Sequence, residues 1–279
     1  MADITAADVK KFREKTGLPF MDCKQALTEA GGDEDKAIEL LRKKGQAISE
    51  KRSDRETAFG RFGLFVGTDK PAGAIVELKC ESAPVAGSDE FIQLANDLAQ
   101  ALAENESIST VDALLDTQSP SKPGVTLREQ KDDMFNRIRE VFNVGRFQRF
   151  DGGTSGYSHN SGTIAGVLMS MEGGSDDHGK DVCMQIVAMR PDALSREEID
   201  PALIEKEREI LKAAALQEGK PEAIVEKMVE GRLRNFFAER VLLDQPYVKD
   251  DKVTVGKFAE SNGMKLKQYV HWVLGENAG

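Results

Sequence analysis

Residues 59–80, FGRFGLFVGTDKPAGAIVELKC, contain the change of hydrophobic period that decides the fold class. Phe62, Leu64 and Val66 recur at every second position, as apolar residues do on the buried face of a strand. The Lys-Pro-Ala-Gly segment at 70–73 predicts a turn, and the apolar run at 74–80 predicts a second strand. The stretch therefore predicts a β-hairpin.

The residues before this hairpin predict a small helical module. Three apolar stripes with helical spacing are each bracketed by residues that favour a helix start and a helix end. These start and end residues are, in order, Thr5 with Gly17, Asp22 with Gly31 and Gly32, and Asp33 with Gly45. The polar, charged segment 46–56 predicts a linker, so the module with its linker spans residues 1–56.

After the hairpin, helical and strand-like patterns alternate along the chain. Apolar spacing predicts helices at 91–102 and 127–141, separated by a loop with two prolines at 119–124. A glycine-rich turn at 152–156 leads toward a strongly apolar strand at 163–171, and a helix-like segment follows at 182–189. Strands and helices are therefore expected to share one core.

Residues 201–240 predict an antiparallel helical hairpin, because two apolar helical stripes flank Gly219-Lys220-Pro221. A last helix is predicted at 255–261 and a last strand at 266–274. We therefore expect an α+β fold with antiparallel sheets. Its expected parts are the three-helix module and linker at 1–56, a first α+β core subdomain at 57–145, and a second at 146–279 that carries the hairpin.

Composition and charge limit the classes of function. The 279 residues are 40% hydrophobic and 31% charged, which is typical of a globular protein. The net charge of −10 disfavours a general grip on nucleic-acid phosphates, so no nucleic-acid partner is expected. The sequence has no signal-peptide pattern and no apolar stretch of about twenty residues, and its three cysteines are widely spaced. We expect a cytoplasmic protein with no membrane partner.

One segment has the spacing of a phosphate-binding loop. Gly174–Lys180 fits G-x-x-x-x-G-K, but Asp181 follows where such loops have Ser or Thr to hold magnesium. Asp176 and Asp177 would also place negative charge where phosphate must bind. The three histidines lack metal-ligand spacing, and no nucleophile motif occurs. We therefore expect no catalytic residue, no metal site and no cofactor.

Two interaction hypotheses stay open from the residues alone. The basic run from Arg42 to Arg55 is a candidate RNA contact, although Glu50 and Asp54 interrupt it and no aromatic residues alternate with it. Its alternative is a solvated helix end with a linker. The apolar stripe of the 201–240 hairpin is a candidate homodimer surface, and its alternative is that the two helices satisfy each other.

Several strings carry a specific resemblance. These are TAADVKKFREKTG at 5–17, FMDCKQAL at 20–27, VELKCES at 76–82, GKPEAIVEKMVEGR at 219–232 and LDQPYV at 243–248. Together they closely resemble the elongation factor Ts family over nearly the whole chain. The resemblance implies a guanine-nucleotide exchange factor in translation elongation, with no bond chemistry of its own, for the GTPase elongation factor Tu. A binding or folding partner of that GTPase without exchange activity remains the alternative.

The resemblance also implies which residues contact the GTPase. Arg13, Phe20, Met21 and Lys24 would form the first contact patch, and an apolar pair beside basic residues is typical interface composition. The alternative is that Phe20 and Met21 belong to the core of the helical module.

Two further regions are implied to face the same partner. They are His159, placed in the glycine-rich turn before the strand at 163, and Val248 with Lys249 near the C-terminal turn. Without the resemblance, His159 is equally an ordinary loop histidine.

The chain departs from the family pattern in two places. Where the family has Thr-Asp-Phe-Val-Ala, residues 82–86 are Ser82-Ala83-Pro84-Val85-Ala86. The carboxylate and the aromatic ring that act near the magnesium site of the GTPase are therefore missing. We still expect Ser82 to Val85 to be a contact, with exchange depending more on the first patch and the His159 region. The family commonly continues into a helical C-terminal module, whereas this sequence stops at Gly279.

Overall fold

A computed structural model of the chain describes residues 4–52, 54–219 and 221–276. Ser53 of the predicted linker, Lys220 of the predicted interhelical turn and both extreme ends of the predicted domains lie outside these residues. Helices and antiparallel sheets make up the fold, which confirms the α+β class. None of the helices in the described ranges has both the length and the apolar character needed to cross a bilayer.

The elements follow one another in a mixed order. The helices are α1 Ala6–Thr16, α2 Phe20–Glu29, α3 Glu34–Glu50, α4 Ala83–Ala86, α5 Asp89–Glu104, α6 Val111–Leu115, α7 Leu127–Ile138, α8 Asp176–Met189, α9 Pro201–Gln217, α10 Glu222–Arg240 and α11 Val255–Ser261. The strands are β1 Phe59–Phe65, β2 Ala72–Cys80, β3 Asn143–Asp151, β4 Thr154–Ser161, β5 Thr163–Glu172, β6 Pro246–Tyr247, β7 Asp250–Thr254 and β8 Lys265–Val273. They form sheets with the orders β1-β2-β3, β4-β5-β8 and β6-β7.

The predicted three-helix module is present, and its caps explain most of its boundaries. Thr5 and Asp8 form a capping box at the start of α1, and Gly17 ends the helix in the left-handed conformation. Asp33 caps α3 as predicted. The predicted start of α2 at Asp22 is wrong, because the helix begins at Phe20, directly after Pro19. Apolar residues of all three helices, with Leu18 of the loop between α1 and α2, form a common core: Val9, Phe12, Leu18, Cys23, Ala26, Leu27, Ala37 and Leu41.

The predicted end of α3 at Gly45 is also wrong, since the helix continues to Glu50 and includes the first part of the predicted linker. Gly45 serves a close approach instead of a helix end. A Cβ atom at this position would lie 1.6 Å from the Oδ1 atom of Asn136 in α7. Only glycine lets the two helices come this close without displacing the buried amide.

The chain forms two compact units, residues 1–63 with 76–147 and residues 64–75 with 148–279. In the first unit, α5 buries Phe91, Leu94 and Leu98 completely, as the pattern at 91–102 predicts. The Phe91 ring lies 5.8 Å from that of Phe142, which identifies Phe91 as a core residue. The predicted domain boundaries after residues 56 and 145 stay a prediction.

In the second unit, α8 packs on the β4-β5-β8 sheet. β4 and β5 pair in register from Thr154 opposite Ser170 to Ser161 opposite Thr163. Gly179 in α8 allows close packing on this sheet, because a Cβ there would lie 2.7 Å from the Cβ of Ser155. The core between them includes Val167, Met169, Met171, Val182, Cys183 and Ile186.

The predicted hairpin at 201–240 is confirmed as α9 and α10. Its helices run antiparallel, since Arg208 pairs with Glu230 and Arg232 with Glu218. Together with flanking residues of the chain, they bury a separate apolar cluster: Ala193, Ile199, Ala215, Val225, Val229, Leu233, Phe236, Phe237 and Val241. The predicted stripe of α10 is buried at this cluster through Val225, Val229 and Leu233, whereas Leu203 and Ile210 of the stripe predicted on α9 stay exposed. The two helices therefore satisfy each other only in part.

Three other boundaries differ from the predictions. The helix predicted to reach residue 141 ends at Ile138, because Arg139 adopts a left-handed conformation with φ of 66°. The helix predicted to start at 182 starts at Asp176, where Ser175 caps it. The predicted glycine-rich turn at 152–156 is shorter, since β4 already begins at Thr154.

Candidate interaction surfaces

The first surface, called the N-terminal patch below, consists of Arg13, Phe20, Met21 and Lys24. The residues of α2 that enter the module core are Cys23, Ala26 and Leu27, whereas Phe20, Met21 and Lys24 of the same helix are exposed. Phe20 is 39% exposed and Met21 is 67% exposed. This exposure excludes the alternative that the two residues belong to the core.

The charges of the N-terminal patch are also available to a partner. Within the part of the chain that the structure describes, neither Arg13 nor Lys24 forms an ion pair, and both are exposed. Asp22 lies between them in sequence but is already engaged by Lys44 at 3.0 Å and Arg139 at 2.7 Å. The patch therefore combines exposed apolar surface with positive charge, which suits an acidic protein surface with apolar side chains.

The second surface is the segment 82–85 at the start of α4. Ser82 does not use its hydroxyl to cap the helix. Its backbone amide and its Oγ donate to the Glu140 carboxylate at 3.1 and 2.6 Å. Ala83 and Pro84 are exposed and Val85 is half-buried. Because Pro84 lies in the first helical turn, where no amide donor is needed, the segment presents a short, stiff and uncharged ridge.

His159 lies in strand β4, opposite Ala165 of β5, so its predicted place in a turn is wrong. Its Nδ1 atom is 3.1 Å from the Tyr157 hydroxyl. The imidazole lines an open groove of about 440 Å³ together with side chains of α8 and its end, including Met184 and Arg190. The polar sequence Ser-His-Asn-Ser lacks the alternation that marks a strand, which explains why the pattern predicts a turn here.

Val248 and Lys249 form the tight turn between β6 and β7, near the predicted C-terminal turn. Val248 is 53% exposed, and its amide donates to Oε1 of Gln185 at 2.8 Å. Lys249 Nζ donates to Asp181 at 2.6 Å. Buried Gln185 also donates to the Pro246 carbonyl at 3.1 Å. Hydrogen bonds from α8 therefore hold this turn in place.

Sequence reasoning misses the positioning roles of Asp181 and Gln185. In the sequence, Asp181 stands out only because it follows the G-x-x-x-x-G-K segment, where a magnesium-binding Ser or Thr is usual. The signal for Gln185 is a polar side chain within the apolar stretch 182–189. Both residues lie on one face of α8, four positions apart. Burial and the neighbouring Asp181 raise the pKa of Tyr247, next to the turn, to about 12. The Tyr247 hydroxyl therefore stays protonated and donates to Asp181 at 3.2 Å.

The segment with phosphate-loop spacing has a structural role. Asp176 accepts a hydrogen bond from the Thr68 amide at 2.8 Å, which holds the pKa of this carboxyl below its usual value. Gly179 faces Ser155 of the sheet, inside helix α8. Among the described residues, no group of His, Cys, Asp and Glu side chains has a metal-binding arrangement. Burial also raises the pKa of the Cys80 and Cys183 thiols, to about 11 and about 12, so neither is a thiolate at neutral pH.

The basic run from Arg42 to Arg55 is largely neutralised by acidic neighbours, which argues against an RNA site. Its ion pairs are Arg42 with Glu129 at 3.5 Å, Lys43 with Glu39 at 2.7 Å, Lys44 with Asp22 at 3.0 Å and Arg55 with Glu81 at 2.9 Å. Cations that already face carboxylates release fewer counterions on binding phosphate.

Fold and surfaces together define an α+β protein whose candidate sites are exposed contact surfaces. Residues 81–276 match the family model described as Elongation factor TS. A protein named Elongation factor Ts from Methylococcus capsulatus is 43% identical over 276 residues, which cover 98% of this chain and 92% of the relative.

Relatives of the same name occur in Clostridium botulinum (strain Eklund 17B / Type B), at 41% identity over 98% of this chain and 93% of the relative, and in Aquifex aeolicus, at 38% identity over 98% of both. The chain therefore belongs to the elongation factor Ts family. Its role lies in translation elongation, a part of protein biosynthesis.

Proposed function

We propose that this chain is a guanine-nucleotide exchange factor that promotes GDP release from the GTPase elongation factor Tu. The observation that carries the proposal is the N-terminal patch. Phe20 and Met21 expose an apolar surface on a small module whose own core is complete without them. Phe20, Met21 and Arg13 are residue types enriched at protein interfaces, and Lys24 adds positive charge beside them.

The proposed activity requires binding energy and no bond chemistry. A partner shifts the nucleotide equilibrium only if it binds the nucleotide-free GTPase more tightly than the GDP-bound form. The factor then lowers the affinity of the GTPase for GDP by the same ratio. Such a role places the factor in the cytoplasm, with the GTPase as partner and without a cofactor or nucleic acid.

We assign the remaining surfaces to the same partner. Segment 82–85 offers an uncharged ridge, and the groove beside His159 offers a concave surface with an imidazole at its edge. The Val248–Lys249 turn adds an exposed apolar side chain on a support fixed by α8. Surfaces carried by rigid elements change little on binding, so they can hold the nucleotide site of the partner in an open form.

Stopped-flow release of a fluorescent GDP from elongation factor Tu tests the proposal. Adding this protein should accelerate release in a saturable way, whereas the double variant Phe20→Ala, Met21→Ala should require a higher concentration for the same rate. Unchanged release at saturating wild-type protein would contradict the exchange function.

A second candidate is a binding or folding partner that holds elongation factor Tu without accelerating exchange. The exposed Ala83 and Pro84 favour it, because neither provides a carboxylate or an aromatic ring to enter the GTPase near its nucleotide. The same stopped-flow experiment separates the two candidates. Tight binding measured by calorimetry, together with unchanged GDP release, would establish the second.

A homodimer through the 201–240 hairpin is a further proposal about partners. Leu203 and Ile210 lie seven positions apart on α9 and are 42% and 53% exposed. Sedimentation equilibrium should show a concentration-dependent dimer that the Leu203→Glu, Ile210→Glu variant abolishes. A monomer at all concentrations would contradict it.

A further inference from the structure

The short segment that joins α7 to β3 contacts two of the proposed surfaces at once. It consists of Arg139, Glu140 and Val141 and is called the α7–β3 connector below. The residues that it contacts at these surfaces belong to the same compact unit as the connector itself. Its two charged side chains pair with different elements, and each element carries a proposed contact for the GTPase.

Arg139 binds the helix that carries the N-terminal patch. Its Nη2 atom donates to Asp22 at 2.7 Å, across 117 positions in sequence, and both side chains are mostly shielded from water. Asp22 follows directly after Phe20 and Met21 in the first turn of α2. The Arg139 carbonyl accepts a 2.7 Å hydrogen bond from Arg52, just beyond the end of α3. The connector therefore holds both α2 and the end of the module.

Arg139 occupies a backbone position that does not favour arginine. Its φ of 66° lies in the left-handed region, where glycine is the usual helix-ending residue. Its Nη1 atom is buried without a hydrogen-bond partner among the described residues. A glycine would end α7 without the strain of a left-handed arginine and without burying an unpaired Nη1 atom. The arginine side chain is therefore best explained by its bridge to Asp22.

Glu140 and Val141 hold the second surface. The Glu140 carboxylate accepts from the amide and the hydroxyl of Ser82, the first residue of segment 82–85. The Val141 amide donates to Glu81 at 2.8 Å. Adjacent residues of one connector therefore fix α2 on one side and the start of α4 on the other.

We propose that the α7–β3 connector is a positioning element that keeps the N-terminal patch and segment 82–85 in one fixed arrangement for the GTPase. This inference rests on the proposed exchange function. Arg139 and Glu140 are positioning residues, and the GTPase contacts are made by the surfaces they hold. Without the connector, each surface is retained but the partner must bind while ordering them, which lowers affinity.

Arg139→Gly provides the sharpest test, because it removes the bridge while placing the preferred residue at the end of α7. Spin labels at Glu14→Cys in α1 and Glu104→Cys in α5 report the arrangement without any GTPase, and the native cysteines are buried. We expect an unchanged or higher melting temperature, a broadened distance distribution and a Kd for elongation factor Tu raised about five- to tenfold. Arg139→Lys, which keeps the charge, should restore most of the affinity.

Arg128→Gln is the matched control. Arg128 lies on α7, the helix that the connector follows, and pairs with Asp112 and Asp116. The substitution breaks these ion pairs, but Arg128 contacts neither proposed surface. Arg128→Gln should leave the distance distribution and the affinity unchanged. Glu140→Ala frees Ser82 and should raise the Kd about two- to threefold with little change in the maximal GDP-release rate, whereas Glu140→Gln keeps one acceptor and should lose less affinity.

An unchanged distance distribution in Arg139→Gly would overturn the inference whatever the GTPase does. A broadened distribution with unchanged affinity would overturn the link between the connector and binding. Failure of the proposed function itself looks different. In that case the wild-type protein does not accelerate GDP release, while the spin-label distances still respond to Arg139→Gly.

Discussion

At the scale of single residues, the exposed pair Phe20 and Met21 is the simplest part of the proposed interface to test. Their side chains leave the module core intact, so truncation removes contact area without creating a cavity. Phe20→Ala or Met21→Ala should weaken binding to elongation factor Tu by about 1 to 3 kcal/mol if the residues are buried interface anchors. Isothermal titration calorimetry measures this loss, and the free energy of unfolding should remain within about 0.5 kcal/mol of wild type.

Phe59→Ala is a suitable control for this pair. Phe59 is 44% exposed, similar to Phe20, but lies in β1 outside the proposed surfaces. It should leave the affinity unchanged. A collapse of stability with unchanged affinity in Phe20→Ala would show that the patch assignment is wrong.

Gly45 gives a residue-scale prediction in which two effects oppose each other. Alanine gains about 1 kcal/mol of helix propensity over glycine. Its Cβ would overlap the buried Asn136 amide, and overpacking of this kind costs about 1 to 3 kcal/mol. Gly45→Ala should therefore destabilise the protein in urea unfolding. A Cβ at Gly231 in α10 would meet no neighbouring atom within 4 Å, so Gly231→Ala should stabilise it. The interpretation of Gly45 fails if both variants are stabilised.

The N-terminal module shows what local sequence can and cannot predict. The caps at Thr5 and Asp33 are predicted correctly, because a cap depends on a side chain and on amides within three residues of it. The prediction of a helix end at Gly45 is wrong, although glycine commonly ends helices. The role of Gly45 depends on Asn136, ninety-one positions later, and no local pattern contains that contact.

At the scale of elements, the sequence predicts strongly periodic segments and misses polar strands. The apolar run of β5 and the stripes of α5, α9 and α10 follow from their spacing. β4 is missed because its pairing with β5 stabilises a sequence with few apolar residues. The error moves His159 from a strand to a turn, although the residue itself is still a candidate.

The α9–α10 hairpin should be separable from the rest of the second unit. The apolar cluster of the hairpin is distinct from the core between α8 and the β4-β5-β8 sheet. Its base is closed by backbone hydrogen bonds from Asp192 to Arg240 at 2.8 Å and from Leu242 to Ala193 at 2.9 Å. Replacing residues 202–239 by a short Gly-Ser loop should leave a soluble protein with cooperative unfolding by circular dichroism.

Val182→Asp gives the contrasting control for the hairpin replacement. It places a charge in the fully buried core under α8 and should abolish folding. Insoluble protein after the loop replacement would show that the hairpin is part of the folding unit.

At the scale of the whole molecule, the sequence predicts the family and the surfaces but not how the surfaces are held. The bonds from Arg139 to Asp22 and from Glu140 to Ser82 span 117 and 58 positions. Pairs at such distances follow from the packed fold and leave no periodic signal in the chain. The same holds for Gln185, whose role depends on the Pro246 carbonyl and the Val248 amide.

The last prediction concerns how much segment 82–85 contributes to nucleotide exchange. The family resemblance implies an aspartate and an aromatic ring where this chain has Ala83 and Pro84, both exposed on α4. An uncharged ridge cannot compete for a metal ion, so exchange here should depend mainly on the N-terminal patch and the His159 region. Ala83→Asp with Pro84→Phe should leave the Kd unchanged and make GDP release faster at millimolar magnesium in stopped-flow assays. Residues 83 and 84 are both exposed, so the larger side chains fit without displacing neighbours. An aspartate in the first helical turn is also favourable.

Pro84→Ala is the informative single variant for this mechanism. It keeps the ridge uncharged but removes the ring and its fixed φ. Because we attribute little of the exchange to this ring, the GDP-release rate should fall less than about twofold, a change below about 0.5 kcal/mol in the barrier. If Pro84→Ala alone abolishes exchange at unchanged affinity, Pro84 is itself the group that enters the GTPase, and the mechanism does not depend mainly on the N-terminal patch.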